Sequence, residues 1–432
     1  MNPALKANIK ANVSISLQQE VHFMSIFNDA NEIMKAALNA ALPDTAVEKA
    51  LAQLPDYSGR LVLVAAGKAA WQMAAAAHRN LGDRIHGGVV ITKYDHAMGP
   101  IGNLRIFEAG HPVPDGNSYK ATQAAIDAVA DLTEADLVLF LLSGGGSALF
   151  EKPLIPAEEL ADVTQQLLAS GADIVEINTL RKRLSAVKGG RFAELCAPAR
   201  VFSIVLSDIL GDPLDMIASG PAYPDASTTE KTLAIAEKYR LRLSNAAQAL
   251  LRQDTPKELP NAQSCITGSV RQLCAAASEA ARALGYAPVV LSASLCCEAR
   301  DAGSFLASIA QYHAGGGKAL AFIAGGETVV HLTGKGKGGR NQELALAAAK
   351  GIAGLENVLV FSLGSDGTDG PTDAAGGIVD GNTQARLEAR GISIDAVLAD
   401  NDAYHALKAV DGLIITGPTG TNVNDLSVLL IQ

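Results

Sequence analysis

The sequence of 432 residues is poor in aromatic residues, charged residues and cysteine. Aromatic residues make up 4% and charged residues 19%, and the five cysteines form no CxxC pair. With hydrophobic residues at 48%, so few charges exclude a chain that stays unfolded in water. An odd number of cysteines without metal-ligand spacing favours reduced thiols over a disulfide framework or a zinc site.

Long apolar runs and an excess of positive charge are also missing. The apolar run Leu137–Leu142 is strand-length, far short of the roughly 20 residues of a membrane-spanning helix. The N-terminal stretch MNPALKANIKANVSISLQQE has no apolar core of signal-peptide length, so we expect a cytoplasmic protein without a membrane partner. A net charge of −10 repels phosphate backbones, and a nucleic-acid partner is therefore not expected.

Several catalytic motifs are absent. The sequence contains no GxxxxGK[ST], HExxH or HxxEH, which argues against a P-loop kinase and a zinc hydrolase. The GxSxG elbow of hydrolases also fails, because Leu149 stands where its second glycine would be.

What is present is a repeated pattern of a short apolar run, a glycine-bearing turn and an alanine-rich helical stretch. This pattern predicts an α/β fold of two doubly wound, Rossmann-like domains with mostly parallel sheets and an inter-domain cleft. An opening helix is predicted over residues 21–42, and a polar stretch with two prolines, QDTPKELPNAQS, places the division at 1–255 and 256–432. The predicted strands span residues 61–66, 88–92, 136–142, 201–207, 288–292, 319–324, 328–333, 357–363 and 426–431.

Two glycine-bearing loops in the first half favour anion binding. In AAGKAA, Lys68 stands at a predicted helix N-terminus, where a cation is unfavourable unless an anion is bound. In LLSGGGSALF, three glycines can turn successive N–H groups into one concavity that holds phosphate or carboxylate oxygens. The residues of this second loop are Ser143, Gly144, Gly145, Gly146 and Ser147.

Two further loops leave alternatives open. In NTLRKRLSAVKGGR, residues 181–183 fit a solvated helix face, whereas Lys188 and Arg191 alternate with glycines as in a loop aimed at an acidic ligand. In VLSDILGDPLDMIASGP, Asp208 follows an apolar strand, where an acid acts as a base, a magnesium ligand or an N-cap. His111, in GHPVPDGNS, is more often structural than catalytic in such a setting.

The second half contains a cationic loop and an acidic loop. In TGKGKGGRNQE the glycines match GxGxxG, but Lys335, Lys337 and Arg340 crowd the loop with positive charge, which suits phosphate oxygens better than a dinucleotide turn. In GSDGTDGPTDAAGG, carboxylates gather after a predicted strand, and Mg²⁺ binding or Asx turns would account for them.

Together with TGPTGTNVNDL, these motifs resemble the motif series of the glycerate 2-kinases of the MOFRL type, in the same order and over nearly the whole chain. The resemblance implies ATP- and Mg²⁺-dependent phosphorylation of D-glycerate to 2-phosphoglycerate. It also implies that Lys68 and Arg340 are the cleft lysine and arginine of the family.

Phosphoryl transfer needs cations, N–H groups, a metal and a base around the reacting group, and the loops supply each of these. The predicted catalytic residues are Lys68, Arg340 and Asp208. Phosphate binding is assigned to the SGGGS loop with Lys335, Gly336 and Lys337, substrate binding to Arg191, Glu327 and Asn341, and metal binding to Asp366 and Asp369. Two alternatives remain: a hydroxypyruvate reductase that uses NADH or NADPH, and a non-catalytic binder of phosphorylated metabolites. The sequence leaves the oligomeric state, monomer or homodimer, open.

Overall fold

The computed structural model describes residues 24–432, which form two compact units. One unit is Ala46–Thr267, and the other joins the described residues up to Thr45 to Gly268–Gln432. We call them the parallel unit and the mixed unit after their sheets. The units differ from the predicted division at residue 255, because the opening helix α1 (Met24–Ala41) packs on elements of the mixed unit. Residues 21–23 of the predicted opening helix lie outside the described residues.

The parallel unit contains a six-stranded sheet in the order β3-β2-β1-β4-β5-β6, and all five strand pairs are parallel. Its strands are β1 Leu61–Ala66, β2 Ile85–Lys93, β3 Leu104–Ala109, β4 Leu137–Leu142, β5 Arg200–Val205 and β6 Ala262–Ile266. The helices along this part of the chain are α2 Pro43–Leu51, α3 Ala70–Leu81, α4 Gly116–Val129, α5 Gly146–Leu149, α6 Ala157–Ala169, α7 Ile174–Arg183, α8 Arg191–Leu195, α9 Thr229–Lys238 and α10 Asn245–Leu251.

The central strands of this sheet are buried on both faces, as their uniformly apolar sequences predict. Because side chains alternate along a strand, Val62 and Val64 of β1 enter one core cluster while Leu61 and Leu63 enter the cluster on the opposite face. The order of strands reverses between β1 and β4, so the carboxyl ends of these two strands border the crevice where ligands bind in such sheets.

The mixed unit has a second six-stranded sheet in the order β11-β10-β9-β12-β8-β7. Its strands are β7 Ala287–Leu295, β8 Leu320–Gly326, β9 Val358–Gly364, β10 Gly376–Asp380, β11 Leu413–Ile414 and β12 Asp425–Ile431. Its remaining helices are α11 Val270–Ala283, α12 Ala299–His313, α13 Arg340–Gly351, α14 Thr383–Glu388, α15 Ile394–Ala399 and α16 Ala403–Ala409.

The α/β class is confirmed, but the prediction of mostly parallel sheets is wrong for the mixed unit. Only β7 and β8 pair in parallel, and the other four strand pairs are antiparallel. The reason is that β12 inserts between β8 and β9 and runs against both of them. The apolar pattern of a buried strand is the same whether the strand runs parallel or antiparallel to its neighbours, so the sequence did not reveal the direction of β12.

Eight of the nine predicted strands are present. The predicted strand at 328–333 is absent, and Val329 alone forms an isolated bridge, with Glu298. The sequence analysis missed β3, β6, β10 and β11, which are short or interrupted by charged and small residues. In the part of the chain that the structure describes, no helix combines the length and apolarity needed to cross a bilayer.

Candidate active site

The loops after β1 and β4 are hydrogen-bonded to each other at the carboxyl edge of the parallel sheet. Lys68 donates its backbone N–H to Gly144 O at 2.8 Å, and the N–H of Ala69 donates to Ser143 Oγ at 3.0 Å. Gly67 has a φ of +132°, and a Cβ there would lie 2.1 Å from Ser143 Oγ. Glycine is therefore required at position 67, and its conformation places Lys68 beside the SGGGS loop.

The glycines of that loop allow three other groups to approach it closely. A Cβ at Gly145, whose φ is +86°, would lie 3.0 Å from His111 Cδ2 and 3.2 Å from Lys68 Cγ. A Cβ at Gly144 would lie 2.1 Å from Asp208 Oδ2. Four strand ends, those of β1, β3, β4 and β5, thus meet here, and we call this assembly the glycine-loop site. It includes the predicted residues Lys68, Ser143, Gly144, Gly145, Gly146, Ser147 and Asp208.

His111 is the member of this site that the sequence analysis assigned no functional role. Its ring is half-buried, and burial, followed by the positive charges of Lys68, Lys93 and His96, lowers the pKa of His111. The neutral imidazole is therefore favoured. Recognising β3 in the sequence would have placed His111 in a loop at a strand end, and this would have marked it as a candidate site residue.

A buried charged cluster lies directly under the glycine-loop site. Lys188 Nζ and Arg181 Nη2 both donate to Ser147 O, at 2.6 and 3.1 Å, and both bind Glu151 Oε2. Burial, followed by the charge of Arg181, lowers the pKa of Lys188 to about 8. Ser147 Oγ also lies 3.1 Å from Ser219 Oγ. These contacts hold the end of the SGGGS loop in place.

The basic motif of residues 178–191 serves this scaffold. The interpretation of residues 181–183 as a solvated face is wrong, because Lys182 is 3% exposed and Arg183 is fully buried. The predicted substrate ligand Arg191 begins α8, and its Nη1 reaches the carboxyl end of α7, where it donates to the carbonyls of Lys182, Arg183 and nearby Ser185 at 3.3, 3.1 and 2.7 Å. Its role in glycerate binding stays a prediction.

Arg340 begins α13 in the mixed unit and is held by two carboxylates. Nε and Nη2 donate to the two carboxylate oxygens of Asp425 at 2.5 and 2.9 Å, and Nη1 lies 3.2 Å from Glu327 Oε1. Burial raises the pKa of Asp425 to about 6, although Arg340 opposes this shift. The hydrogen bonds that Arg340 donates to Asp425 raise the pKa of Arg340, which keeps the guanidinium charged. Glu327, a predicted substrate ligand, is 48% exposed and follows β8.

Two predicted ligands, Asp369 and Asn341, lie in a buried network at the start of α13. Asp369 accepts from the backbone N–H groups of Asn341 and Gln342 at 3.2 and 2.9 Å, so both of its carboxylate oxygens act in capping the helix. Burial raises the pKa of Asp369. Asn341 Oδ1 accepts from Ser362 Oγ at 2.5 Å. The structure thus brings both side chains to the base of Arg340.

Asp366 is the second predicted metal ligand of the mixed unit. It is half-buried after β9, and Oδ1 accepts from the N–H and the hydroxyl of Thr368 at 2.9 and 3.1 Å. A Cβ at Gly364 would lie 3.4 Å from Asp366 Oδ1 and 3.5 Å from Asp425 Oδ1, so both carboxylates flank this glycine. Within residues 24–432 no three His, Cys, Asp or Glu side chains form a metal cage. One or two carboxylates completed by phosphates are the usual setting for Mg²⁺ with a nucleotide.

The GKGKGGR loop does not offer its backbone to an anion in the way that the sequence suggested. Gly336 N–H donates to Asp400 O at 2.8 Å, Lys335 N–H to Asp400 Oδ1 at 3.0 Å and Lys337 N–H to Asp402 Oδ1 at 2.9 Å. Lys335 and Lys337 can therefore act on phosphates only through their side chains. Of these, Lys335 is exposed, and Lys337 Nζ lies 4.5 Å from the centre of the Tyr404 ring.

Asp425 is the residue of the mixed unit beside Arg340 that the sequence analysis left without a role. It opens β12 and pairs in register with Gly326 and Gly364 of the neighbouring strands. The available signal was an acidic residue at the start of an apolar strand, since a carboxylate there must be paired. Recognising β12 as a central strand would have indicated that the carboxylate of Asp425 needs a cationic partner, and Arg340 is that partner.

These features define an α/β protein with the components of a phosphoryl-transfer site, and comparisons with known proteins agree. Residues 29–252 match the family described as Domain of unknown function (DUF4147), and residues 320–425 match the MOFRL family. The chain is 53% identical to D-glycerate 2-kinase of Thermotoga maritima over 408 residues, covering 93% of this chain and 97% of that protein. It is 43% identical over 388 residues to an Agrobacterium vitis protein provisionally named a hydroxypyruvate reductase, covering 86% and 100%.

A solved structure gives the same result. The crystal structure of glycerate kinase from Thermotoga maritima superposes with a TM-score of 0.91 at 52% identity, covering 95% of this chain and 100% of that one. The chain therefore belongs to the glycerate 2-kinase family that combines DUF4147 and MOFRL domains, and the resemblance predicted from the sequence is confirmed.

Proposed function

We propose that this protein is an ATP-dependent kinase that phosphorylates D-glycerate at the 2-hydroxyl to give 2-phosphoglycerate, assisted by Mg²⁺. The observation that carries the proposal is the placement of Lys68 over Gly145 in the glycine-loop site, in a chain that is 53% identical to a D-glycerate 2-kinase. A lysine and a glycine-rich loop at the carboxyl edge of a parallel sheet suit an anionic ligand.

The two units each supply a cation of the kind that phosphoryl transfer requires. Catalysis of this reaction rests on positioning and on charge stabilisation, because the transferring group spreads its negative charge over three oxygens. Lys68 in the parallel unit and Arg340 in the mixed unit are the side chains that we assign to this task. The forked contact with Asp425 orients Arg340, so that Nη1, which Glu327 also approaches, is presented in a defined direction.

Asp366, with Asp425 beside it, would hold the magnesium ion, which supplies neutralisation of phosphate charge when it is bound. Asp369 and Asn341 would act indirectly, since they fix the first turn of α13 from which Arg340 projects. Asp208 borders the SGGGS loop at Gly144 and remains a candidate for a direct role with the substrate. Because ATP is the proposed co-substrate, we expect the protein to act in the cytoplasm on small molecules.

The reductase alternative rests on the name of the Agrobacterium vitis relative. A nicotinamide dinucleotide would need a glycine turn with free N–H groups and an acid for the ribose. In the GxGxxG match at residues 334–339, the N–H groups of residues 334–337 instead donate to Asp400, Asn401 and Asp402. The kinase is therefore the better supported function.

An assay of ADP release with D-glycerate, ATP and Mg²⁺ tests the proposal, with the product identified as 2- or 3-phosphoglycerate by chromatography. Parallel reactions contain L-glycerate, EDTA in place of Mg²⁺, or hydroxypyruvate with NADH or NADPH. We expect 2-phosphoglycerate to form with D-glycerate and Mg²⁺ only. Nicotinamide oxidation without ADP release would replace the kinase by the reductase. Tight ATP binding without either reaction would indicate a binding protein.

A further inference from the structure

His111 occupies a central place in the glycine-loop site that none of the assigned roles explains. The loop that carries it follows β3, and the ring lies close to Gly145: a Cβ on that glycine would be 3.0 Å from Cδ2 and 3.2 Å from Nε2. The same Cβ would be 3.2 Å from Lys68 Cγ. A ligand group resting on Gly145 would therefore meet the imidazole and the lysine together.

Two contacts of Asp115 fix the C-terminal end of the loop that carries His111. Asp115, four residues on, forms a capping box with Ser118 at the start of α4. The hydroxyl of Tyr94, from the segment after β2, donates to Asp115 Oδ2 at 2.6 Å. A catalytic group must be held in place by its surroundings, and these contacts hold the loop from two elements.

The charged groups around the ring come from several elements. Lys68 follows β1, Lys93 ends β2, and His96 lies in the next segment with Nδ1 3.2 Å from Lys68 O. Asp208, after β5, borders the neighbouring Gly144. Burial, followed by the charges of Lys68 and Lys93, lowers the pKa of His111 and leaves a neutral ring nitrogen able to accept a proton at neutral pH.

We propose that His111 is a catalytic residue, the general base that accepts the proton of the substrate hydroxyl during phosphoryl transfer. This inference rests on the proposed kinase function. As the 2-hydroxyl oxygen of glycerate bonds to the γ-phosphorus, its proton passes to a ring nitrogen of His111. The bond from the γ-phosphorus to the β,γ-bridging oxygen breaks, and ADP leaves with that electron pair. The imidazolium then releases its proton to solvent.

The test replaces His111 by glutamine and by alanine. General-base catalysis contributes about 10²- to 10⁴-fold, so both variants should lose kcat by that factor while KM for glycerate and for ATP stays within about threefold. The matched control is His78→Gln, a half-buried histidine in the last turn of α3, about 12 Å along the helix from its first residue, Ala70, and this variant should keep wild-type kcat. Full kcat in His111→Gln would overturn the proposal.

Chemical rescue separates a base from a structural histidine. Added imidazoles of increasing pKa should restore turnover to His111→Ala, and the restored rate should rise with the pKa of the added base. A rescue that does not change with base strength would overturn the proposal, as would the same rescue in Asp208→Asn, which would move the base to Asp208. If the wild-type protein releases no ADP with D-glycerate, the proposed function itself fails. An active wild type with fully active His111 variants contradicts only this inference.

Discussion

The two units position their cations in opposite ways. In the parallel unit, the backbone places Lys68: its N–H donates to Gly144 O, and its carbonyl accepts from Thr92 Oγ1 at 3.3 Å. In the mixed unit, the side chain of Arg340 is held directly, by hydrogen bonds to both carboxylate oxygens of Asp425 and by an ion pair with Glu327. A parallel sheet gathers several strand ends at one edge, whereas the mixed sheet places a buried carboxylate on a central strand beside the helix that it serves.

This difference indicates which kind of change should displace each cation. The position of Lys68 depends on glycines that allow close backbone approach, at Gly67 and at Gly144 to Gly146. The position of Arg340 depends on a carboxylate whose burial is costly, since removing water from Asp425 raises its pKa to about 6. Steric changes should therefore damage the first site, and changes of charge or pH the second.

The largest expected effect is the loss of either cation. Lys68→Ala and Arg340→Ala should each lower kcat by about 10³-fold or more, because cationic clamps on transferring phosphoryl groups contribute on that scale. Steady-state kinetics with D-glycerate and ATP measures this loss. The exposed residues Lys120 and Arg390 provide matched controls, and their alanine variants should retain wild-type turnover.

Conservative exchanges sharpen the contrast between the two cations. Arg340→Lys loses the forked contact with Asp425 and should remain strongly impaired, whereas Lys68→Arg keeps the charge on a residue that is placed through its backbone. Arg340→Lys is therefore expected to be the weaker enzyme of the two. Equal activities of Arg340→Lys and Lys68→Arg would mean that the forked contact between Arg340 and Asp425 does not contribute to catalysis.

The sequence predicted the loops of the parallel unit better than those of the mixed unit, for a physical reason. Lys68, the SGGGS loop and Asp208 follow apolar strands, and the ends of parallel strands share one edge of the sheet, so strand ends predict proximity. In the mixed unit, Asp425 reaches Arg340 because β12 runs antiparallel between β8 and β9, and an apolar pattern contains no direction. The burial of Lys182, Arg183 and Lys188 was likewise hidden, since only tertiary partners distinguish a buried cation from an exposed one.

Asp425→Asn should change how stability depends on pH. The pKa of Asp425 is about 6 in the folded protein against 3.8 for an ordinary aspartate, so between these values the folded state alone keeps the proton. The stability from this group is present below pH 3.8 and is lost as pH rises through about 6. Relative to the wild type, the asparagine variant should gain up to about 3 kcal/mol in free energy of unfolding between pH 4 and pH 7.

Denaturant unfolding at several pH values, or hydrogen exchange followed on peptides of β12, measures this change. At pH 4 the folded wild type keeps Asp425 protonated, so there the variant and the wild type both have a neutral side chain at this position. Any difference in stability at pH 4 therefore reflects contacts other than the charge, and the difference in slope between pH 4 and pH 7 isolates the ionisation of the buried carboxylate. Parallel pH curves for the two proteins would show that Asp425 has an ordinary pKa.

Capping of α13 gives a smaller effect that compares the two units directly. Asp369→Ala removes the acceptor for the N–H groups of Asn341 and Gln342 and should cost about 2 kcal/mol of stability. Because Arg340 is the first residue of the same helix, kcat should fall as well. The matched variant is Asp173→Ala, which removes the exposed cap of α7 in the parallel unit and should cost about 1 kcal/mol without changing kcat. Unaltered kcat in Asp369→Ala would mean that the cap does not position Arg340.

The smallest effect is expected for the lysines of the GKGKGGR loop. Because the loop N–H groups bind Asp400, Asn401 and Asp402, the loop keeps its shape without Lys335. An exposed lysine acts on a phosphate only through screened charge, so Lys335→Ala should raise KM for ATP by less than about tenfold, and high salt should reduce the difference. Asp402→Ala, which removes the acceptor of Lys337 N–H, should impair the enzyme more than loss of the lysine side chain. If Lys335→Ala instead matches Lys68→Ala in its loss of kcat, the cationic loop contacts the reacting phosphate directly and ranks with the other two cations.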